Sequence, residues 1–100
     1  MTRIVAYVPD LMDRSKVAAA GECVFVSKPA ELAALSPSAD VVVVDLTRAG
    51  VVDVLPDLEG RVIGFANHTA RDVMEAARAA GCEQVLKRSE FFARIDDLLG

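Results

Sequence analysis

Histidine occurs once in this 100-residue sequence, at His68, and cysteine twice, at Cys23 and Cys82, with no CxxC spacing. That leaves no ligand set for a structural zinc site, which takes four closely spaced thiolate or imidazole donors. A Ser-His-acid triad would have one imidazole to draw on and no nucleophile elbow to place its serine. Neither GxGxxG nor GxxxxGK[ST] occurs, so the two common glycine-rich phosphate cradles are missing. No apolar stretch approaches the roughly 18 residues of a membrane span. The N-terminus runs into strand-like sequence without a signal-peptide pattern, and a cytoplasmic protein is expected. A basic excess is lacking too: 11 Lys and Arg stand against 15 Asp and Glu, for a net charge of -4. The basic residues are scattered, so the stripe needed for nucleic-acid phosphates is absent and no nucleic-acid partner is expected.

What the chain does have is a high apolar content, 53%, much of it alanine and valine. Such small residues suit short helices packed closely on a small parallel sheet, and residues 1–100 suffice for a single domain. Cys23 and Cys82 read as small reduced core residues. The most informative stretch is Val41-Val42-Val43-Val44, flanked by Asp40 and Asp45. Four successive valines lack the alternation of a strand wetted on one face, so both faces of this strand are expected under helices. Asp45 then stands at the strand's carboxyl end, where open α/β sheets bind their ligands.

Strand-like and helix-like stretches alternate along the chain. Strands are expected at Arg3–Val8, Cys23–Val26, Val41–Asp45, Arg61–Phe65 and Gln84–Leu86. A helix of about ten residues should follow Asp10 as N-cap and stop at Gly21 as C′ residue. Pro29 opens a brief helix carrying Leu32 and Leu35, which Pro37 and Ser38 end. Between Asp45 and Arg61 only Val51, Val52, Val54 and Leu55 are helix-spaced, enough for about two turns at best. Thr69 and Asp72 form a near capping box for a fourth helix, with Val73, Ala76, Ala77 and Ala80 toward the sheet and Gly81 closing it. Ser89 should cap a last helix with Phe92, Ile95 and Leu99 along one side, widened by Phe91 and Leu98.

Five strands alternating with five helices predict an α/β fold, a three-layer doubly wound five-stranded parallel sheet with right-handed crossovers and a shortened third helix. In the order 2-1-3-4-5 the reversal lies between strands one and three. Asp10 and Asp45 should therefore face each other across that crevice, with Asp13 one helical turn further on. Carboxylates converging there could hold a hard cation such as Mg²⁺ through oxygen, with Asp10 and Asp45 as candidate ligands. The alternative readings are structural: Asp10 as a helix cap, Asp45 as a strand end, Asp13 as a solvated helix residue, and His68 as a surface loop residue.

The passages RIVAYVPD, ADVVVVDL and VIGFANHTARDVMEAARAAGCEQVLKRSEF resemble the receiver domain of bacterial response regulators, over nearly the whole chain. The resemblance implies a flavodoxin-like signalling domain of a two-component system, and no enzyme. In that family an acidic pair follows strand one, a phosphoryl-accepting aspartate ends strand three, a threonine or serine ends strand four, and a lysine followed by proline ends strand five. Asp45 matches the acceptor and Asp10 the second acid. Pro9 replaces the first acid, Ala66 the hydroxyl and Arg88 the lysine, with Ser89 at the proline position. Arginine presents a planar fork where the family has a point charge, and it could pair with Asp45 and fix one conformation.

The expected function is a stand-alone degenerate receiver, a pseudo-receiver working through a protein partner or self-association without a normal aspartyl-phosphate cycle. No cofactor is required, and Mg²⁺ is allowed. The alternative is a working Mg²⁺-dependent phosphoacceptor modified on Asp45. The resemblance places the contact surface on helix four, strand five and helix five, which carry Arg71, Glu75, Arg78, Lys87, Glu90 and Arg94. High alanine, valine and arginine usage points to a GC-rich bacterial genome.

Overall fold

The computed structural model describes residues 2–99, and in it five strands form one all-parallel sheet. The strands are β1 (Arg3–Tyr7), β2 (Glu22–Phe25), β3 (Val41–Asp45), β4 (Val62–Ala66) and β5 (Gln84–Lys87), in the order β2-β1-β3-β4-β5. Register runs Ile4 to Cys23, Ile4 to Val41, Val42 to Val62 and Ile63 to Gln84. The order reverses between β1 and β3, as the sequence predicts.

The valine run does what its composition dictates. Every residue of β3 is buried, with Val42 and Val44 in one apolar cluster and Val41 and Val43 in the other. The first cluster includes Leu32, Val51, Met74 and Ala77; the second includes Val17, Phe91, Leu98 and Leu99. Helices therefore cover both faces: α2 (Leu32–Leu35), α3 (Val51–Val54) and α4 (Arg71–Ala79) on one, α1 (Leu11–Ala18), α5 (Arg88–Ala93) and α6 (Ile95–Leu99) on the other. The third helix is short, a single turn continued by a 3₁₀ turn at Leu55–Asp57.

Helix ends depart from expectation in four places. α1 ends at Ala18, and Gly21 has no left-handed backbone. A Cβ on Gly21 would lie 2.9 Å from the Thr2 carbonyl oxygen, so glycine is needed there for close approach. α4 begins at Arg71, because the Ala70 N–H closes a turn on the Asn67 carbonyl, and neither Thr69 nor Asp72 caps it. Its buried face is Met74 and Ala77, while Ala76 is exposed. At the far end Ser89 lies inside α5, after the N-cap Lys87, and the last helix is interrupted at Arg94.

Gly81 does close α4, with φ +97°. The Cys82 N–H reaches the Ala77 carbonyl and the Gly81 N–H the Arg78 carbonyl, the paired bonds of a Schellman motif.

Candidate functional site

The carboxyl ends of β1, β3, β4 and β5 open into a crevice of about 180 Å³ lined by Asp10, Asp13, Asp45, Thr47, Arg48, Phe65, Ala66, Asn67 and Arg88. Asp10, Asp13, Asp45, Ala66 and Arg88, all singled out from sequence, meet here.

Asp10 is the N-cap of α1. Its carboxylate accepts the Asp13 N–H at 3.0 Å, which satisfies one orphan amide of the first turn. That bond to the Asp13 amide is the main reason its pKa lies below the ordinary carboxylate value, with smaller help from Arg88 and Arg48. The side chain is exposed.

Asp13 is no solvated helix residue. It is 1% exposed and is bound by the guanidinium of Arg88, which forks onto both carboxylate oxygens, Nη1 to Oδ2 at 2.6 Å and Nη2 to Oδ1. α1 places Asp13 one turn in from its cap, and α5 begins with Arg88, so the pair ties opposite ends of the chain together. The guanidinium also lies 5.1 Å from the Phe92 ring centroid and 5.8 Å from that of Phe65. These rings belong to a cluster with Phe91, at centroid separations of 4.9 to 5.3 Å. Planar delocalised charge tolerates such an aromatic flank better than an ammonium does. The hydrogen bonds that Arg88 donates to Asp13 lead the causes that raise its pKa, so this cation keeps its proton.

Asp45 is 5% exposed and has partners of its own. It accepts the Thr47 N–H at 3.1 Å and the Thr47 hydroxyl at 2.6 Å, an Asx-type turn that aims the carboxylate into the crevice. Arg48 Nε approaches it at 3.3 Å. The pairing open to Arg88 with Asp45 is not made; Arg88 pairs with Asp13, and Arg48 with Asp45. Thr47 and Arg48 escaped the sequence reading, although their spacing of two and three residues from Asp45 was a usable signal. Ala66 is buried, and Asn67 follows it at the rim. Three carboxylates and two guanidinium groups leave the crevice a formal charge of -1.

No family model matches the chain, and no curated protein matches it. Solved structures do. The phosphorylated cyanobacterial phytochrome response regulator RcpA superposes with a TM-score of 0.80 at 13% identity, covering 97% of this chain and 90% of that one. A response regulator from Hahella chejuensis gives 0.80 at 16% identity, over 99% and 92%. The fold is that of the response-regulator receiver domain. The manganese-bound form of another response regulator gives 0.75 at 11% identity, over 98% and 91%.

That manganese-bound structure prompts the question whether the present residues fit a divalent cation. Octahedral oxygen sites need carboxylates that are free to turn toward the ion. Here Asp10 caps a helix, Asp13 is held on both oxygens by Arg88, and Asp45 is held by Thr47 and Arg48. Among the described residues no group of three His, Cys, Asp or Glu side chains is arranged to hold a metal. As arranged, the donor set does not fit a resident cation. Nor is any helix among the described residues long and apolar enough to cross a membrane.

Proposed function

We propose that this chain is a pseudo-receiver, a signalling domain that works through protein contacts and not through an aspartyl-phosphate cycle. One observation carries the reading: the crevice holds its own cations, with Arg88 forked onto the buried Asp13 and Arg48 on Asp45. Phosphoryl transfer to a carboxylate depends on positioned positive charge around the transferred group and on a nucleophilic oxygen free to attack. Asp45 offers oxygens already engaged by Thr47 and Arg48, and Ala66 supplies no hydroxyl at the end of β4. The α4, β5 and α5 face is the proposed contact surface, for a partner or a second copy. The two free cysteines suit a reducing compartment, the cytoplasm.

The second reading, a phosphoacceptor, draws on the position of Asp45, which faces the crevice from the end of the central strand β3. Intact mass after incubation with acetyl phosphate and Mg²⁺, for the native chain beside Asp45→Asn, separates the two. No adduct on a chain whose circular dichroism shows it folded is the expected result. An adduct on the native chain alone would overturn the pseudo-receiver reading.

A further inference from the structure

Arg71, Glu75 and Arg78 fall at i, i+4 and i+7 of α4, on one exposed stripe of the helix. The stripe borders a surface groove of about 390 Å³, closed by Lys87 at the end of β5, by His68 in the loop before α4, and by Met74. Met74 is nearly buried and supplies an apolar floor. Glu75 is within helical reach of both arginines, yet no ion pair within 4.0 Å involves Arg71, Arg78 or Lys87 among the described residues. The crevice arginines are matched one for one by carboxylates; these three cations are not.

With His68 neutral the groove carries a formal charge of +2 in a chain of -4, so the remainder of the molecule carries -6. A concave site of one sign on a surface of the other selects and steers a complementary partner. We propose that this groove binds an acidic segment of a protein partner, with carboxylates on Arg71, Arg78 and Lys87 and an apolar side chain over Met74. Nucleic acid is the poorer occupant. Three cations release few counterions, Glu75 stands between the two arginines, and the net negative charge repels a long polyanion. This inference rests on the protein-contact reading above and gives the partner its chemistry.

The test is a titration of the isotope-labelled chain, following backbone amide shifts, with a peptide of alternating Glu and Leu. Its Lys-Leu counterpart and a single-stranded oligonucleotide are titrated in parallel. The acidic peptide is expected to shift amides of α4, β5 and the His68 loop, and to release as salt is raised. Arg71→Glu with Arg78→Glu should weaken it by roughly tenfold or more, with the fold checked by circular dichroism. No shifts, shifts centred elsewhere, equal binding of the Lys-Leu peptide, or preferential binding of the oligonucleotide would each overturn the proposal. The phosphorylation result is independent: an adduct on Asp45 would end the pseudo-receiver reading while leaving a peptide-binding groove in place.

Discussion

Arg88 and Asp13 are the residues on which the crevice depends most. Asp13 is fully enclosed, whereas the Arg88 side chain is 39% exposed, so the pair is half in water. Stripping one partner from a buried pair costs about 3–5 kcal/mol, and screening on the arginine side reduces that here to roughly 2 kcal/mol for Arg88→Ala. Urea denaturation should show this loss, and an unchanged midpoint would refute a stabilising role for the pair. Replacing both residues, as in Asp13→Leu with Arg88→Met, should cost less than Arg88→Ala alone, because no buried charge is left stranded. The sequence disclosed the candidates but not this pairing. Asp45 was legible because four valines announce a buried strand that ends on it. Asp13 was placed near the crevice, but its burial was not legible, because an acid in a first helical turn is usually solvated and nothing local points to a partner 75 residues away. Arg48 lay close enough to Asp45 to be foreseen. Cys23 is half-buried against the second apolar cluster, and burial pushes its thiol up to about 11, so alkylation at neutral pH should be slow.

Among the elements, β4 carries a glycine that a neighbouring side chain approaches closely. A Cβ at Gly64 would stand 2.7 Å from Leu46 Cγ, so the buried Leu46 side chain would have to shift. Gly64→Ala should therefore cost about 1–3 kcal/mol by overpacking, seen as a fall of the melting temperature of several degrees. A variant as stable as the native chain would mean that Leu46 repacks freely. Strand cores were readable from composition, and β3 was placed without error, because burial on both faces leaves a continuous apolar run. Helix starts were less readable. Thr69 and Ser89 have the right chemistry for caps, but the Asn67–Ala70 turn and the position of Arg88 at the head of α5 set the starts by tertiary fit. Gly81 was legible as a helix stop because only a left-handed residue completes the paired terminal bonds; Gly21 looked the same in sequence and serves a different need.

For the molecule as a whole, acid should weaken the fold through two helix-start carboxylates. Asp10 lies below its ordinary value of 3.8, mainly through the Asp13 amide, and Glu31 below 4.5, mainly through the Ser27 hydroxyl and then the Lys28 amide. A carboxylate whose folded pKa is depressed binds fewer protons folded than unfolded. Its stabilisation is complete above the unfolded value and is lost as pH falls through the folded one. Denaturation midpoints should decline below those ordinary values, and Asp10→Asn with Glu31→Gln should flatten the decline; an equal decline in the double variant would assign acid sensitivity elsewhere. The strand order itself was legible, since alternation of strands and helices admits few topologies. That order also governs how the chain finds its shape. Every strand pair is parallel, and even the nearest partners in sequence, Ile4 and Cys23, have a whole helix between them. No hairpin can nucleate the sheet, so loop closure over long spans has to precede any strand pairing, and folding belongs in the slower, millisecond range of mixed α/β domains.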